Sequence, residues 1–260
     1  NRPNFGVRSA MRLGSPTRKG IVTGGTWCAD HNKFVTHWPG EEEVVEILTN
    51  EVRGGGSACN LGIDMKRLDP DIPVSTIGLI GDDEDGRILM AEADAAGIER
   101  SGLVIAETGS TSHTDAFTTA DTGRRTHLYL SGTAAKLSPD HFDFSTVNAR
   151  ILHLGLPGIH AAMDGAWGDD ANGWVTVLKK ARAAGIATNL ELCSVPVERI
   201  AQIVRPCLAH LDLLVVNDFE IAAIAGKDAG HSEDVDVQKC LSATRKVLAH
   251  GSMQLVVAHF

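Results

Sequence analysis

Three consecutive glycines, Gly54–Gly56, stand directly before a stretch with helical periodicity, and Asn60 lies one turn inside it. Glycine adopts positive φ without strain and lets a ligand touch the backbone, while a helix N-terminus offers free N–H groups and the positive end of a dipole. An asparagine side chain both donates and accepts, which suits two neighbouring hydroxyls. The pattern predicts a polar cradle for a polyol or an anion. A tight turn between a strand and a helix is the alternative that the spacing leaves open.

Asp30 follows the first predicted strand, which ends at Gly24 and Gly25. A carboxylate at the carboxyl end of a strand can accept hydrogen bonds from two sugar hydroxyls. An aspartate can also close a turn by bonding to nearby backbone. Taken alone, the position favours the turn, and the sugar-binding role stays open as the alternative.

Asn217 and Glu220 follow the apolar run "LDLLVV", which predicts a buried strand. The spacing N-x-x-E is that of a capping box, in which each side chain bonds to the other residue's backbone N–H. The same amide and carboxylate could hold waters on Mg²⁺ near phosphates, because Mg²⁺ prefers oxygen ligands and keeps several waters. The spacing does not separate the two interpretations, which are compatible.

Several familiar motifs fail at a required position. The string Gly55–Cys59 matches the nucleophile elbow G-x-S-x-G except for Cys59, which disfavours a serine hydrolase. The run "DDEDG" at 82–86 lacks the D-x-D-x-D-G spacing of a calcium loop and is typical of a solvated turn with helix-capping acids. The eleven histidines form no H-E-x-x-H pattern, so no structural metal is indicated.

The elements that must position these residues alternate between short β-branched runs and helical periods. Such alternation is typical of an α/β fold with a mostly parallel sheet that helices cover on both faces. The helix after the glycine run has Ala58, Leu61, Met65 and Leu68 on one face, which predicts its buried side. Two polar strand pairs, near residues 34–53 and 111–131, do not fit the main layer and predict a small β lid.

Composition excludes several classes of protein. The 260 residues suffice for one sizeable core, and a net charge of −9 with 5% aromatic residues disfavours a nucleic-acid partner. The sequence contains no run of about 18 apolar residues, so no membrane span is predicted. Five widely spaced cysteines without a C-x-x-C pair favour a reducing cytosol over a disulfide framework. Residues 1–19 carry basic but no acidic side chains and are predicted to be a disordered tail, with a targeting segment as the alternative.

Taken together, "GGTWCAD" at 24–30, "GGGSACN" at 54–60 and "LLVVNDFE" at 213–220 resemble the ribokinase (PfkB) family of carbohydrate kinases, as does nearly the whole chain from residue 20 onward. The resemblance implies a doubly wound sheet with a β lid, ATP and Mg²⁺ as cofactors, and transfer of the γ-phosphate to a sugar hydroxyl. It further implies residue roles: Asp30, Gly55, Gly56 and Asn60 bind the sugar, and Asn217 and Glu220 serve the Mg²⁺–phosphate region. A homodimer formed through the lid is also expected, because exposed strand edges invite pairing.

Two positions depart from the family pattern. The family's D-T-x-G-A-G-D segment, with its catalytic aspartate, has no match, and the nearest string, Asp228-Ala229-Gly230, precedes a further helix and strand. The catalytic residue is therefore unknown, and the aspartate is expected beyond Phe260. Gly155 and Leu156 stand where some relatives carry a sugar-contacting glutamate, so ribose is not fixed as the substrate.

The expected function is that of an ATP-dependent sugar kinase in the cytoplasm, acting on a small sugar. Two alternatives share the fold. A non-catalytic sugar-binding or regulatory protein would keep the sugar cradle and lack the base, and a nucleoside kinase would use the same elements on a larger substrate.

Overall fold

The structure, a computed structural model, describes residues 13–193, 195–227 and 236–259. Within these residues the strands are, in chain order, β1 Ile21–Gly25, β2 Cys28–Val35, β3 Ile47–Gly55, β4 Val74–Ile80, β5 Glu99–Ile105, β6 His113–Thr119, β7 Arg125–Leu130, β8 Ile151–Gly155, β9 Ala187–Leu190, β10 Leu213–Asn217 and β11 Leu255–His259. The α-helices are α1 Ser57–Leu68, α2 Glu84–Ala96, α3 Ala161–Asp164, α4 Gly173–Ala183, α5 Val197–Val204, α6 Asp218–Ala225 and α7 Val237–His250.

The main sheet has seven strands in the order β11-β10-β9-β8-β1-β4-β5. Every pairing in it is parallel, so the carboxyl ends of all seven strands lie at one edge. From β1 the chain adds β4 and β5 on one side and later β8 to β11 on the other, so the strand order reverses at β1. Open α/β sheets form a crevice for ligands at such a reversal.

Helices cover both faces of this sheet. Successive side chains of a strand point to opposite faces. On β4, Ile77 belongs to the core cluster that contains Trp174 of α4, whereas Ile80 belongs to the cluster that contains Leu89 of α2. The predicted fold class is therefore confirmed.

The buried face of α1 differs from the predicted one. Ala58, Cys59 and Gly62 are buried, but Leu68 is 80% exposed, so its assignment to the core face was wrong. The periodicity favoured the longest apolar side chains. Tight packing of α1 on the sheet selects small ones instead, since a Cβ on Gly62 would lie 3.1 Å from Ile98 Cδ1.

The second sheet, which we call the lid, has the order β3-β2-β6-β7. Its outer pairs are antiparallel and its central pair, β2 with β6, is parallel. The lid begins at Cys28 rather than near residue 34, so Asp30 lies inside a lid strand and not in a turn after β1. The polar string "CADHN" is typical of a loop because both of its faces are polar, but hydrogen bonds to two neighbouring strands hold it extended.

Residues 13–19, counted with the tail in the sequence, contact the domain. Ser15 N–H donates to Gly185 O at 3.1 Å, and Arg150 Nε donates to Leu13 O at 2.7 Å. The remainder of the predicted tail, residues 1–12, and the string Asp228-Ala229-Gly230 lie outside the described residues. No helix within the described ranges is both long and apolar enough to cross a membrane.

Candidate active site

Asp30 and the glycine run meet where the lid joins the main sheet. The antiparallel pairing of β2 with β3 places Cys28 opposite Gly55 and Asp30 opposite Arg53. A Cβ on Gly55 would lie 2.2 Å from Asp30 Oδ2, so the carboxylate packs directly against the Gly55 backbone. Gly55 is therefore required by the carboxylate beside it and not by a turn.

Gly56 caps α1 and has φ 84° and ψ 156°, a conformation that is essentially restricted to glycine. A Cβ at this position would lie 2.5 Å from Thr26 O. The same carbonyl accepts a hydrogen bond from Ala58 N–H at 3.2 Å. Gly56 thus lets the N-terminus of α1 close onto the segment that links β1 to the lid.

Burial and nearby charge act on Asp30 in opposite directions. Burial raises the pKa of its carboxyl above the usual range, while the positive charges of Arg125 and His127 on the lid lower it. The register places Thr114 beside Asp30 and Tyr129 beside Thr114, on the same face of the lid. The resulting surface combines a carboxylate, hydroxyls and the Arg125 guanidinium, which is a suitable set for a polyhydroxylated ligand.

Cys28 lies next to this surface but is not a nucleophile. Its Sγ is 3.3 Å from Thr114 Oγ1. Burial, reinforced by the charges of Asp30 and Asp85, raises the pKa of the Cys28 thiol to about 12. The neutral thiol cannot support covalent catalysis, because the thiolate is the reactive form.

A buried hydrogen-bond chain fixes the floor of the cleft, where β1 and β8 end. Leu156 N–H donates to Thr26 Oγ1 at 3.2 Å, and Thr26 Oγ1 is 2.7 Å from His160 Nε2. His160 Nδ1 bonds to Ala134 O at 2.9 Å, which makes Nε2 the acceptor for the Thr26 hydroxyl. Burial lowers the pKa of His160 to about 4, so this histidine is a neutral positioning residue.

Ser57 fills the space next to Gly155. A Cβ on Gly155 would lie 2.5 Å from Ser57 Oγ, and that hydroxyl has no hydrogen-bond partner among the described residues. Ser57→Ala is expected to leave the free energy of unfolding equal or raise it by up to about 1 kcal/mol, because an unsatisfied buried hydroxyl is removed. Gly155→Ala is expected to lower it by about 1–3 kcal/mol through overpacking.

Chemical denaturation of the two single variants and the double variant measures the coupling between these positions. The double variant should be more stable than the sum of the single effects indicates. If the changes in the free energy of unfolding were strictly additive, the Ser57 hydroxyl would not occupy the space that a Cβ on Gly155 needs.

Asn60 is not brought against Asp30. It is exposed on α1 and lines a groove of about 780 Å³ together with Arg53, Gly54 and Glu92, and Asp30 is not part of that lining. Its side chain makes no hydrogen bond within the described part of the chain. A sugar contact by Asn60 stays a prediction.

Asn217 and Glu220 form the capping box that their spacing predicts. Glu220 N–H donates to Asn217 Oδ1 at 2.8 Å, and Asn217 N–H donates to Glu220 Oε2 at 3.0 Å. Glu220 is buried, and burial, followed by the negative charges of Glu191 and Asp218, raises the pKa of its carboxyl. Glu220 Oε1 and Asn217 Nδ2 take no part in the two hydrogen bonds of the capping box.

The two groups of residues share one edge of the main sheet. Asp30, Gly55 and Gly56 lie over the ends of β1 and β8, whereas Asn217 and Glu220 lie at the end of β10. Strands β8 and β10 are two positions apart in the sheet, which corresponds to about 10 Å.

Sequence reasoning missed the lid residues that surround Asp30. Thr114, Tyr129, His127 and Arg125 share its face because residues two apart in a strand point the same way. The alternation in "HTDAFTT" and "RTHLYL", combined with the turn between them, contained this information. The parallel pairing of β2 with β6 could not be deduced from local sequence.

The crevice of the main sheet and the polar face of the lid define an α/β domain whose candidate ligand site lies at the carboxyl edge of its strands. The chain belongs to the pfkB family of carbohydrate kinases, whose model matches residues 19–259. The resemblance noted in the sequence is thereby confirmed.

Similar proteins agree with this assignment. An ATP-dependent ribose-1-phosphate kinase of Halopiger xanaduensis is 26% identical over 192 residues, which cover 73% of this chain and 58% of that relative. The ribokinase of Arabidopsis thaliana complexed with ribose and ATP has a TM-score of 0.72 at 21% identity, covering 93% of this chain and 72% of that one. The ribokinase of Giardia lamblia has a TM-score of 0.74 at 17% identity, covering 92% and 69%. The two structures share the fold of this chain.

Proposed function

We propose that the protein containing this chain transfers the γ-phosphate of ATP to a hydroxyl of a small sugar. The observation that carries this conclusion is the Asp30 carboxylate, which lies on the polar face of the lid and is held against Gly55 beside the N-terminus of α1. Membership of the carbohydrate kinase family and the ATP-dependent relative support it.

The residues of this chain bind and orient the sugar. Asp30 accepts hydrogen bonds from two hydroxyls, and its burial strengthens them because water competes less. Gly55 and Gly56 let the ring approach the backbone at the positive end of the α1 dipole. The lid excludes water from the cleft, which protects the phosphoryl group from hydrolysis. The role of the base is assigned to no residue within the described ranges.

ATP and Mg²⁺ fit the other end of the cleft. Glu191 and Asp218 both disfavour the charged form of Glu220, and a divalent cation would relieve this repulsion. Glu220 and Asn217 would hold waters on Mg²⁺, and the cation would neutralise charge on the phosphates. The capping box would keep both side chains in position before the nucleotide arrives.

Glu220→Gln separates the capping role from the cation role. Glutamine can accept the hydrogen bond from Asn217 N–H, so the free energy of unfolding at neutral pH is expected to stay equal or rise. The affinity for MgATP should fall about tenfold, as for other groups that act on a metal through an intermediate ligand. Calorimetric titration measures the affinity, with the exposed Glu198→Gln as the matched control.

The contribution of Glu220 to folding stability depends on pH. Because the folded pKa of Glu220 is raised, its contribution to stability is complete at low pH and is lost as pH rises through that pKa. The wild type should therefore become less stable relative to Glu220→Gln as pH increases above the usual glutamate range. If thermal melts showed the wild type becoming more stable than Glu220→Gln as pH rises, the folded protein would favour the ionised carboxylate, against this prediction.

The lid is also proposed to pair with the lid of a second copy. Its edge strands are β3 and β7, and Leu128 on β7 is 54% exposed. Exposed strand edges with apolar side chains favour association. Such pairing would cover the cleft more completely than one lid does.

A coupled ADP-release assay on the purified protein tests the proposed function directly. With ATP and Mg²⁺, turnover is expected for at least one pentose or hexose and should disappear when Mg²⁺ is removed. Sugar binding without turnover would favour the non-catalytic alternative, and turnover confined to nucleosides would favour the nucleoside kinase.

A further inference from the structure

Helix α2 contacts the face of the lid that is opposite to Asp30. Because successive side chains of a strand point to opposite faces, His31 on β2 faces away from the cleft that Asp30 faces. His31 Nε2 lies 3.0 Å from Asp85 Oδ1 and 3.1 Å from Asp85 Oδ2, on the first turn of α2. An ionised carboxylate only accepts hydrogen bonds, so His31 is the donor. The strand residue next to Asp30 is therefore attached to α2.

The same helix holds the strand on the other side of the sugar site. Gly54 N–H donates to both carboxylate oxygens of Glu92 at 3.0 Å. Glu92 lies seven residues after Asp85, about two helical turns, so both carboxylates lie on one face of α2. Gly54 directly precedes Gly55, against which Asp30 packs. Helix α2 thus holds the chain neighbours of both residues in the contact between Asp30 and Gly55.

Gly54 has no side chain because a carboxylate occupies the space beside it. A Cβ on Gly54 would lie 2.4 Å from Glu92 Oε2, just as a Cβ on Gly55 would lie 2.2 Å from Asp30 Oδ2. Within the glycine run only Gly56 has a positive φ, so backbone conformation does not require glycine at the other two positions. Gly54 is needed for the contact with α2, and Gly55 is needed for the contact with Asp30.

Further contacts attach the lid to the start of α2. The His113 ring on β6 stacks on the His31 ring with centroids 5.0 Å apart, and His113 Nδ1 lies 4.0 Å from Asp85 Oδ2. Asp83, the N-cap of α2, accepts a hydrogen bond from Thr111 N–H at 2.7 Å, two residues before β6. Strands β2, β3 and β6 are therefore all connected to one helix.

On the basis of the proposed function, we infer that Asp85 and Glu92, which we call the α2 clamp, are positioning residues for the sugar site. Asp85 fixes β2 through His31, and Glu92 fixes β3 through Gly54. Together they determine where the Asp30 carboxylate lies relative to the Gly55 backbone. Neither carboxylate touches the sugar, because both lie on the opposite face of the lid.

Stabilisation of the fold alone is the competing explanation of these hydrogen bonds. In that case the loss of either carboxylate would lower the free energy of unfolding but leave the affinity of the folded protein for sugar unchanged. Positioning predicts a loss of affinity in a protein that remains folded. The two explanations therefore differ in the sugar affinity of the folded variants.

Removal of each carboxylate from the purified protein tests the α2 clamp. Asp85→Ala and Glu92→Ala should each weaken the binding of ribose or fructose in calorimetric titration by about fivefold or more, since small displacements of positioned groups have large effects. Glu92→Gln should recover most of the affinity, because its amide oxygen still accepts from Gly54 N–H. Glu84→Ala is the matched control, because Glu84 is an exposed acid on the first turn of α2, and it should bind as the wild type does.

Combination with Asp30→Asn shows whether the α2 clamp acts through Asp30. If it does, Glu92→Ala should change kcat/KM for the sugar much less in the Asp30→Asn background than in the wild type, because the group that it positions is already impaired. Full additivity of the two changes in free energy would overturn the proposal. Wild-type affinity for ribose and fructose in Asp85→Ala and Glu92→Ala variants of lowered melting temperature would overturn it in favour of stabilisation alone.

Hydrogen exchange of the protein without ligand gives a readout that is independent of the proposed function. The double variant Asp85→Ala/Glu92→Ala should increase the exchange rates of amides in β2 and β3 by about tenfold or more, while β1 and β8 stay protected as in the wild type. Unchanged exchange in β2 and β3 would overturn the α2 clamp even in a protein that phosphorylates a sugar. Faster exchange confined to the lid, in a protein that phosphorylates no pentose or hexose, would support the attachment of the lid and overturn the proposed function.

Discussion

Asp30→Asn is expected to reduce the affinity for the sugar substrate by about 10- to 150-fold, which corresponds to about 1.5–3 kcal/mol for a hydrogen bond to a charged group. Asparagine keeps the shape of the side chain but loses the charge and one acceptor oxygen. The protein should remain folded, because burial already disfavours the ionised carboxylate. Titration calorimetry measures the affinity, and thermal melts measure the stability.

The stability effect of this variant depends on pH with a fixed sign. The folded pKa of Asp30 is raised, so ionisation of this group costs stability as pH rises through that pKa. Asp30→Asn should therefore be as stable as the wild type in acid and equally or more stable at neutral pH. Asp71→Asn, at an exposed turn, is the control and should change neither quantity. Wild-type sugar affinity in Asp30→Asn would remove the carboxylate from the site.

Alanine at the two adjacent glycines is expected to act mainly on stability at Gly56 and mainly on sugar affinity at Gly55. Gly56→Ala should lower the free energy of unfolding by about 2–5 kcal/mol, because it combines a strained backbone conformation with a clash against the Thr26 carbonyl. Gly55→Ala should lower it by only about 1 kcal/mol, because the obstructing atoms belong to the Asp30 side chain, which can rotate away, and not to the backbone. Gly55→Ala should nevertheless lose most of the sugar affinity, since its methyl group displaces the carboxylate.

Gly168→Ala provides the control for backbone strain alone, because Gly168 has φ 57° and an added Cβ would meet no other atom within 4 Å. It should be less destabilising than Gly56→Ala. Denaturant unfolding and sugar titration of the three variants separate strain, clash and loss of binding. Equal destabilisation by Gly55→Ala and Gly56→Ala, with sugar affinity retained in the former, would contradict the packing of Asp30 on Gly55.

Local sequence patterns predicted the main layer well. The alternation of buried strands with amphipathic helices identified the parallel sheet, and the N-x-x-E spacing identified the capping box of Asn217 and Glu220. Both are determined by interactions between residues that are close in sequence, so spacing alone is informative. The face of α1 was the exception, because packing against the sheet selected small residues over Leu68.

Long-range pairing limited the prediction of the site. Asp30 belongs to a strand whose neighbours start at Ile47 and His113, and neither register is encoded near Asp30. The contact between Asp30 and Gly55 follows only from the register of β2 with β3, and the approach of Arg125 and His127 to Asp30 follows only from the registers of β2 with β6 and of β6 with β7. The resemblance to carbohydrate kinases supplied the sugar-binding role of Asp30, but not Arg125 or His127.

A crystal structure of the protein with a bound sugar or sugar phosphate tests the central claim most directly, which is that the ligand lies between the lid and the N-terminus of α1. The expected electron density places ring hydroxyls within hydrogen-bonding distance of both Asp30 carboxylate oxygens, with the ring against Gly55 and Gly56. Ligand density in the groove lined by Asn60 and Glu92, with the Asp30 cleft filled only by water, would contradict it.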